Sequence, residues 1–282
     1  MPGVMQSKIV KIGNATVGGG SFALIGGPCV IETEELALET ARYAAGVCAE
    51  LGIPYVYKSS YLKDNRSSHE TYQGPGPAKG LAILSRVREE VGVPVLSDIH
   101  TPGEVAAAGE ALDCLQLPAY LSKQTQLTLA LAAAGKPINV KKAQFFKPEQ
   151  IAIPLRKIES AGNREILITE RGSAFGYGDI VFDPRSLVTL RRFGYPVFFD
   201  VTHVIRLPGT TSDDPEGGLR DYIFPLARAA CGVGVDGLFL EFHPEPERAL
   251  CDAASMLPMA RLGEILRQCL EIHSRVKGWS DS

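Results

Sequence analysis

A run of cationic and hydroxyl side chains follows the apolar stretch 53–57 and is chemically the most distinctive segment of the chain. Within Lys58–Ser68 there are two lysines, one arginine, one asparagine and four serines. Lysine and arginine supply positive charge, serine hydroxyls and backbone amides supply directional donors, and arginine can bind two phosphate oxygens at once. Taken alone, the run is most simply interpreted as a solvated loop. Its composition also suits a site for phosphorylated small molecules.

Polar or reactive side chains stand at the ends of seven further apolar runs. In chain order they are Cys29, Asp98, Gln116, Lys141, Arg171, His203 and Glu241. Any one of them could be an ordinary polar residue of a surface loop. Together with Lys58 they occupy eight corresponding positions, which favours one shared active site.

One subset of these residues is typical of a divalent cation site. It consists of Cys29, His203, Glu241 and Asp252. A thiolate, an imidazole and two carboxylates form a mixed set of sulfur, nitrogen and oxygen ligands. The spacing is not that of a local metal motif, so a simpler alternative stays open. In that alternative Cys29 is a small buried hydrophobic residue and His203 is a hydrogen-bonded loop imidazole.

The other subset is cationic. Its members are Lys58, Lys63, Arg66, Lys141 and Arg171. Five cations at one site imply an anionic ligand with more than one charge, and two phosphate groups fit better than one. The glycine-rich turn 172–178 adds backbone donors beside Arg171. The alternative is that Lys141 or Lys142 merely solvates a loop.

The elements that must position these groups are eight short apolar runs alternating with helical segments. The runs are 22–31, 55–57, 93–99, 114–117, 137–140, 166–169, 197–201 and 237–240, and the clearest helices are 34–51, 78–91, 126–134, 184–193 and 259–276. Continuously apolar, β-branched runs are typical of parallel strands buried on both faces. Eight β–α units predict a (β/α)8 barrel, whose functional groups gather at the carboxyl ends of the strands. An open doubly wound sheet is the alternative, but no Gly-x-Gly-x-x-Gly follows the first strand.

The length of the chain suits one large α/β barrel or two ordinary domains, and because no linker-like stretch is seen we expect one cytoplasmic domain. The chain has 282 residues and a net charge of −3, so its overall charge does not indicate a positively charged surface for nucleic acid or an acidic membrane. We expect a hairpin within residues 1–20, around Gly13 and Asn14, followed by a barrel over residues 21–278. No apolar run is long enough to span a bilayer, and the first residues lack the apolar core of a signal peptide. The six cysteines include no Cys-x-x-Cys pair and are interpreted as reduced thiols.

Several longer motifs follow one another in the order expected of barrel strands. They are Gly26–Glu32, Lys58–Ser68, Ser97–His100, Gln116–Thr125, Asn139–Lys142, Thr169–Gly172, Asp200–His203, Glu241–Glu247 and the pair Cys251–Asp252. From about Phe22 to Val276, the chain resembles the 3-deoxy-D-manno-octulosonate 8-phosphate synthase family. That family condenses phosphoenolpyruvate with D-arabinose 5-phosphate and water, releases inorganic phosphate and makes a sugar precursor of lipopolysaccharide.

The resemblance implies a (β/α)8 barrel, usually assembled as a homotetramer, and one divalent ion. The family has a metal-dependent branch with cysteine at the first strand and a metal-independent branch with asparagine, so Cys29 places the chain in the former. The implied metal ligands are Cys29, His203, Glu241 and Asp252. The ion would be Zn, Fe, Mn or Co.

The resemblance also assigns substrate contacts by position. Phosphoenolpyruvate would meet Ser60, Lys63, Gln116, Lys141 and Arg171, whereas the pentose phosphate would meet Asn65, Arg66 and Ser67. Lys58, Asp98 and Asp252 would lie near the sugar hydroxyls and aldehyde, and Lys123 would reach the site of a neighbouring subunit. The residues expected to act in the chemistry are Lys63, His203, Asp252 and Cys29.

Three positions depart from the family pattern. Asp64 stands where the family usually has alanine, Lys123 stands where it usually has arginine, and the loop 176–180 lacks the usual asparagine pair. Two rival functions remain. One is 3-deoxy-D-arabino-heptulosonate 7-phosphate synthase, which uses a four-carbon aldehyde phosphate and usually reads Lys-Pro-Arg-Thr-Ser where this chain has Lys63–Ser68. The other is a non-catalytic barrel that binds sugar phosphates.

Overall fold

The computed structural model describes residues 6–66, 69–211 and 214–279. Within these ranges the strands are β1 Val10–Ile12, β2 Ala15–Val17, β3 Ala23–Gly27, β4 Tyr55–Lys58, β5 Val95–Asp98, β6 Cys114–Leu117, β7 Ile138–Lys141, β8 Ile166–Glu170, β9 Val197–Asp200, β10 Gly237–His243 and β11 Leu257–Pro258. The α-helices are α1 Glu34–Leu51, α2 Pro77–Val91, α3 Val105–Ala111, α4 Thr125–Ala133, α5 Ala152–Ser160, α6 Pro184–Arg191, α7 Val201–Val204, α8 Ile223–Val233 and α9 Leu262–Lys277.

Strands β3 to β10 form a closed parallel barrel. Each strand pairs with the next along the chain, and β10 pairs with both β9 and β3, which closes the ring. The short β11 adds to β10 at the end of the sheet order. The predicted (β/α)8 barrel is confirmed, and the open doubly wound sheet is excluded because the sheet has no gap between its first and last barrel strands.

The apolar runs predicted the strands because every residue of the eight barrel strands is buried. Several predicted limits differ from the observed ones by one to a few residues, and two of these differences lie at turns that lead into the site. The first run was expected to continue to residue 31, but β3 ends at Gly27 and the chain then turns to form the loop of Cys29. The run 197–201 was expected to be all strand, yet Val201 begins α7, because the Asp200 carboxylate accepts a hydrogen bond from the His203 amide at 3.0 Å.

The helices begin and end where local chemistry dictates. Helix α1 starts after Thr33, whose side-chain oxygen accepts from the Leu36 amide, and two glutamates occupy its first turn. It ends at Gly52, whose φ of 66° places it in the left-handed region where glycine costs least. The predicted limits 34–51 for this helix are confirmed.

The N-terminal hairpin closes one end of the barrel. Strands β1 and β2 pair antiparallel around Gly13 and Asn14. Their buried side chains form a single apolar cluster with barrel residues that include Val56, Leu167 and Phe239. The side chain of Asn14 donates to the carbonyl of Gly92, which precedes β5. The hairpin therefore covers the amino ends of the strands, and the carboxyl ends remain for a functional site.

No helix in the described ranges combines the length and the apolar character needed to cross a bilayer.

The hairpin should contribute measurably to stability. Ile12 is fully buried beneath the barrel, so Ile12→Ala leaves a cavity and should lower the free energy of unfolding by about 2–5 kcal/mol. Lys11→Ala, on the exposed side of the same strand, is the matched control and should change it by less than about 0.5 kcal/mol. Urea denaturation followed by circular dichroism makes the comparison. Equal stability of the two variants would show that the hairpin is not part of the core.

Candidate active site

The carboxyl ends of the strands surround two adjoining cavities. The outer cavity has a volume of about 250 Å³ and the inner cavity about 60 Å³. Residues that line the outer cavity include Lys63, Arg66, Arg171, His203, Arg206, Cys251 and Asp252. Residues that line the inner cavity include Lys58, Lys63, Asp98, Gln116, Lys141, Arg171, Asp200 and His203. Most of the groups predicted at the strand ends thus converge on one space.

The four predicted metal ligands lie close together. The Sγ of Cys29 is 3.5 Å from Oδ2 of Asp252, and Nε2 of His203 is 3.9 Å from the same oxygen. The same histidine nitrogen is 3.7 Å from Oε2 of Glu241. Cys29 and Glu241 are buried, whereas His203 and Asp252 are partly exposed to the outer cavity. The donor atoms of His203, Glu241 and Asp252 lie within 4.8 Å of one another, and Cys29 adjoins them through Asp252, so the arrangement can hold a metal ion.

Asp200 orients the imidazole of His203. Its Oδ2 lies 2.9 Å from Nδ1 of His203, which directs Nε2 towards Glu241 and Asp252. Burial opposes ionisation of Asp200, but His203 and Lys141 outweigh it and hold the carboxyl pKa far below its usual range. A carboxylate behind a ligating histidine is a common feature of metal sites. Asp200 was quoted in a motif but given no role, although its place three residues before His203 was a usable signal.

Lys58 holds Glu241 in place. Its Nζ donates to Oε1 of Glu241 at 2.9 Å, to the Cys29 carbonyl at 3.2 Å and to Oγ of Ser60 at 3.2 Å. Burial raises the pKa of Glu241, but His203, Lys58 and Lys63 lower it by more, so the carboxylate is ionised. The ammonium group of Lys58 thus already has three oxygen partners. Its observed role is to pair with the Glu241 carboxylate and hold it in position.

A second cysteine, which the sequence interpretation did not single out, lies against the metal ligands. The Sγ of Cys251 is 2.6 Å from Sγ of Cys29. Burial, followed by the contact with Cys251, raises the pKa of the Cys29 thiol well above its usual value. The next residue, Asp252, has a left-handed backbone conformation with φ 52°, an uncommon one for a residue other than glycine. Its Oδ1 lies 3.6 Å from Nε of Arg206, a lining residue that also had no predicted role.

Three cations face the cavities where phosphoenolpyruvate was predicted to bind. Lys63 and Arg171 line both cavities, and the buried Nη1 of Arg171 has no hydrogen-bond partner among the described residues. Lys141 donates to the carboxylate of Asp200 and stands over the ring of Phe239, 3.0 Å from its centroid. Burial lowers the pKa of Lys141 to about 8, although Asp200 raises it.

Lys142 belongs to a different part of the structure. Its buried Nζ donates to the carbonyls of Ala143 and Gly172 and to Oγ of Ser173, and it lies 3.4 Å from Oε1 of Glu170. Consecutive residues near a strand end point in opposite directions. Lys142 therefore holds the loops that follow β7 and β8 together, and Lys141 alone faces the site.

The remaining predicted contacts are arranged in hydrogen-bonded sets. Oγ of Ser60 donates to Oδ1 of Asp98 at 2.5 Å, and Nε2 of His100 lies 3.1 Å from Oδ2 of Asp98. The Gln116 side chain accepts from Nδ2 of Asn139 at 2.9 Å. These bonds fix the side chains that line the inner cavity before any ligand arrives.

The predicted pentose phosphate contacts lie at the mouth of the site. Asn65 lines both cavities, and Arg66 lines the outer one while donating twice to the Tyr72 carbonyl. The predicted contact Ser67 lies outside the described residues. Lys123 is exposed and lines neither cavity of the single chain, and its role towards a neighbouring subunit stays a prediction.

The other two departures from the family pattern also lie near the mouth. Asp64 is exposed and is not among the residues lining either cavity. In the loop 176–180, Tyr177 has a positive φ and a side chain 94% exposed, whereas Ile180 lines the outer cavity. The loop therefore contributes an apolar wall to the site.

A cavity of about 260 Å³ at the opposite end of the barrel is less suited to chemistry. Its lining includes Ser7, Asp236 and His273. Both carboxylate oxygens of Asp236 are occupied, one by Oγ of Ser7 and the other by the amide of Val197. Its acidic group thus serves to join the N-terminal segment to the barrel.

The contrast between the two neighbouring lysines can be tested by stability. Lys142→Met leaves Glu170 buried without its cation, so we expect the free energy of unfolding to fall by about 3–5 kcal/mol. Lys79→Met on the exposed surface of α2 is the matched control, with an expected change below about 0.5 kcal/mol. Denaturant titration of both variants measures the difference. A Lys142→Met protein as stable as the control would contradict the structural role of this ion pair.

Comparison with known proteins shows the family of the chain. The sequence model of the DAHP synthetase I family matches residues 6–278. A protein of Syntrophobacter fumaroxidans named 2-dehydro-3-deoxyphosphooctonate aldolase is 48% identical over 93% of this chain and 91% of its own length. Proteins of the same name from Syntrophotalea carbinolica and Acidithiobacillus ferrooxidans are 47% and 49% identical, over 97% and 91% of this chain and 99% and 91% of their own lengths. The chain therefore belongs to the DAHP synthetase I family and, within it, to the group of the 2-dehydro-3-deoxyphosphooctonate aldolases.

Proposed function

We propose that this protein is a 3-deoxy-D-manno-octulosonate 8-phosphate synthase, which condenses phosphoenolpyruvate with D-arabinose 5-phosphate and water and releases inorganic phosphate. The observation that carries the proposal is that His203, Asp252 and several cations line one cavity, with Cys29 and Glu241 buried against them. The names of the relatives support it, because 2-dehydro-3-deoxyphosphooctonate aldolase denotes the same activity. The related heptulosonate phosphate synthase shares the family model, but these relatives do not carry its name.

The cations of the inner part of the site suit phosphoenolpyruvate. Lys63, Lys141 and Arg171 offer three positive charges to a ligand that carries a phosphate and a carboxylate. Gln116 is held beside them by Asn139 and adds a polar contact. The unpartnered Nη1 of Arg171 favours this placement, since a buried donor gains most from a new acceptor.

The outer part of the site suits the pentose phosphate. Asn65 and Arg66 stand at the mouth and would bind its phosphate, with Ser67 as a further proposed contact. Asp98 and Asp252 would then face the sugar hydroxyls and the aldehyde. Holding both phosphates brings C3 of phosphoenolpyruvate close to the aldehyde carbon, which removes much of the entropic cost of their encounter.

The donor set fits a divalent metal ion. Cys29, His203, Glu241 and Asp252 would hold it, and Asp200 would fix the imidazole that takes part. Sulfur, nitrogen and oxygen donors together accept Zn, Fe, Mn or Co. When bound, such an ion supplies a Lewis acid for the oxygen on which charge develops.

The reaction itself needs one new carbon–carbon bond and one water molecule. C3 of phosphoenolpyruvate attacks the aldehyde carbon, and water adds to C2 of the substrate, which becomes electron-deficient. The resulting hemiketal phosphate at C2 expels inorganic phosphate. Lys63 and Arg171 would balance the charge of the departing phosphate, and Asp252 would face the water and the aldehyde oxygen.

We further infer a cytoplasmic homotetramer. The described cysteines are all free thiols, as expected in a reducing compartment. Lys123 is exposed beside the mouth-lining segment that includes Tyr120, where a neighbouring chain could receive it.

The proposed reaction can be tested directly with the purified protein. Phosphoenolpyruvate plus arabinose 5-phosphate should yield inorganic phosphate with a kcat/KM about a hundredfold or more above that with the four-carbon aldehyde phosphate. The reverse preference would indicate the heptulosonate synthase, and binding without phosphate release would indicate a sugar-phosphate sensor. Arg171→Gln should raise KM and lower kcat, whereas Arg192→Gln, on the exposed end of α6, should change neither.

The metal ligands can be tested by metal content. Cys29→Ala removes one donor, so metal affinity should fall by at least about 100-fold in a chelator competition. Cys48→Ala in α1 is also a buried cysteine change and is the matched control, with unchanged affinity expected. A Cys29→Ala protein that is fully active without metal would refute this ligand set.

The lowered pKa of Lys141 predicts a pH dependence of substrate binding. Below pH 8 its ammonium group is charged and attracts an anion, and above that pH it becomes neutral. The affinity for phosphoenolpyruvate should therefore decrease as the pH rises through about 8. Lys141→Arg keeps its charge over this range and should lose the dependence. Calorimetric titrations on both sides of pH 8 measure it, and a flat profile for the wild type would contradict the placement of Lys141.

A further inference from the structure

A second thiol lies among the proposed metal ligands without a part in the proposed reaction. The sulfur of Cys251 is 2.6 Å from that of Cys29, and both side chains are fully buried in the protein. The donor atoms of Cys29, Cys251 and Asp252 all lie within 4.8 Å of one another. The donor atoms of His203, Glu241 and Asp252 form a second group with the same limit, so Asp252 joins the two groups.

Cys251 packs in a small apolar cluster with Cys29, Val30 and Met256, and this cluster adjoins the site. Cys251 lines the outer cavity, as do Lys63 and Arg66, whose positive charges favour anionic sulfur nearby. The other buried cysteines of the described chain lie elsewhere: Cys48 in α1, Cys114 in β6, and Cys231 and Cys269 in α8 and α9. Among the described residues, the pair of Cys29 and Cys251 is the one thiol group that adjoins a carboxylate in a possible metal cluster.

One positive ion shared by the two sulfur atoms would stabilise both as thiolates, and on binding zinc at about 2.3 Å they would move farther apart than the present 2.6 Å. A divalent ion keeps a coordinating thiol deprotonated and neutralises two adjacent thiolates at once. Soft thiolate ligands also change which metal the site prefers, because they favour zinc over manganese.

We propose that Cys251 is a further metal ligand, so that the site offers two thiolates beside the imidazole and the carboxylates and favours zinc over manganese. The proposal rests on the proposed function in taking Cys29 as a metal ligand. It adds a sulfur donor and a metal preference that the four-residue ligand set does not contain.

X-ray absorption on the reduced, zinc-loaded full-length protein counts the sulfur atoms directly. The wild type should show two sulfur neighbours of zinc at about 2.3 Å, and Cys251→Ser should show one. Cys48→Ser, a serine substitution at another buried cysteine, should retain both. Cys251→Ala serves as a second variant, and circular dichroism of each protein establishes that it is folded.

Cobalt substitution gives an independent reading. The sulfur-to-cobalt charge-transfer absorption should fall by about half in Cys251→Ser and vanish in the double variant Cys29→Ser, Cys251→Ser. Competition with a chelator should show zinc affinity at least about tenfold lower in Cys251→Ser, with a smaller change for manganese.

The outcomes separate this inference from the proposed function. One sulfur neighbour in the wild type, lost on Cys29→Ser and kept in Cys251→Ser, would overturn the role of Cys251 and leave the Cys29 site intact. No sulfur neighbour in the wild type would overturn both.

Discussion

The site depends on the pairing of charges that the barrel has removed from water. A buried ammonium or carboxylate group is tolerated only beside an opposite charge and hydrogen-bond partners. Lys58 meets Glu241, Lys141 meets Asp200, and Lys142 meets Glu170. The first two pairs join strands separated by one other strand, β4 with β10 and β7 with β9. These two ion pairs thus link strands that share no backbone hydrogen bonds. They fix the relative positions of the strand ends at the mouth of the barrel.

Asp200 takes part in both halves of the site. It accepts from Lys141 on one side and from Nδ1 of His203 on the other. One carboxylate therefore serves the cation proposed for the substrate phosphate and the imidazole proposed for the metal. A change in charge at either neighbour alters the hydrogen bond that the other donates to Asp200, so the two proposed subsites are electrostatically connected.

The sequence was sufficient to predict the barrel, because its strands are buried on both faces. They can be recognised as continuous apolar runs without an alternation of apolar and polar residues. The order of polar groups at the strand ends also predicted which side chains would meet, since parallel strands end on one face. Side-chain direction could not be predicted in the same way. Whether Lys141 or Lys142 faces the cavity depends on the strand register, which fixes both lysines only once β7 has paired with its neighbours. The contact between Cys251 and Cys29 likewise depends on a loop conformation, including the left-handed residue Asp252, that no local pattern specifies.

The hairpin formed by β1 and β2 has a consequence for the order of assembly. It precedes the barrel strands in the chain, yet the apolar surface that it covers is supplied by strands as late as β10, through Phe239. During synthesis its four buried side chains lack some of their packing partners in the barrel strands until most of the polypeptide has emerged. The hairpin therefore cannot dock stably until the barrel has closed. Until then its apolar side chains stay exposed to water, which favours aggregation of the nascent chain.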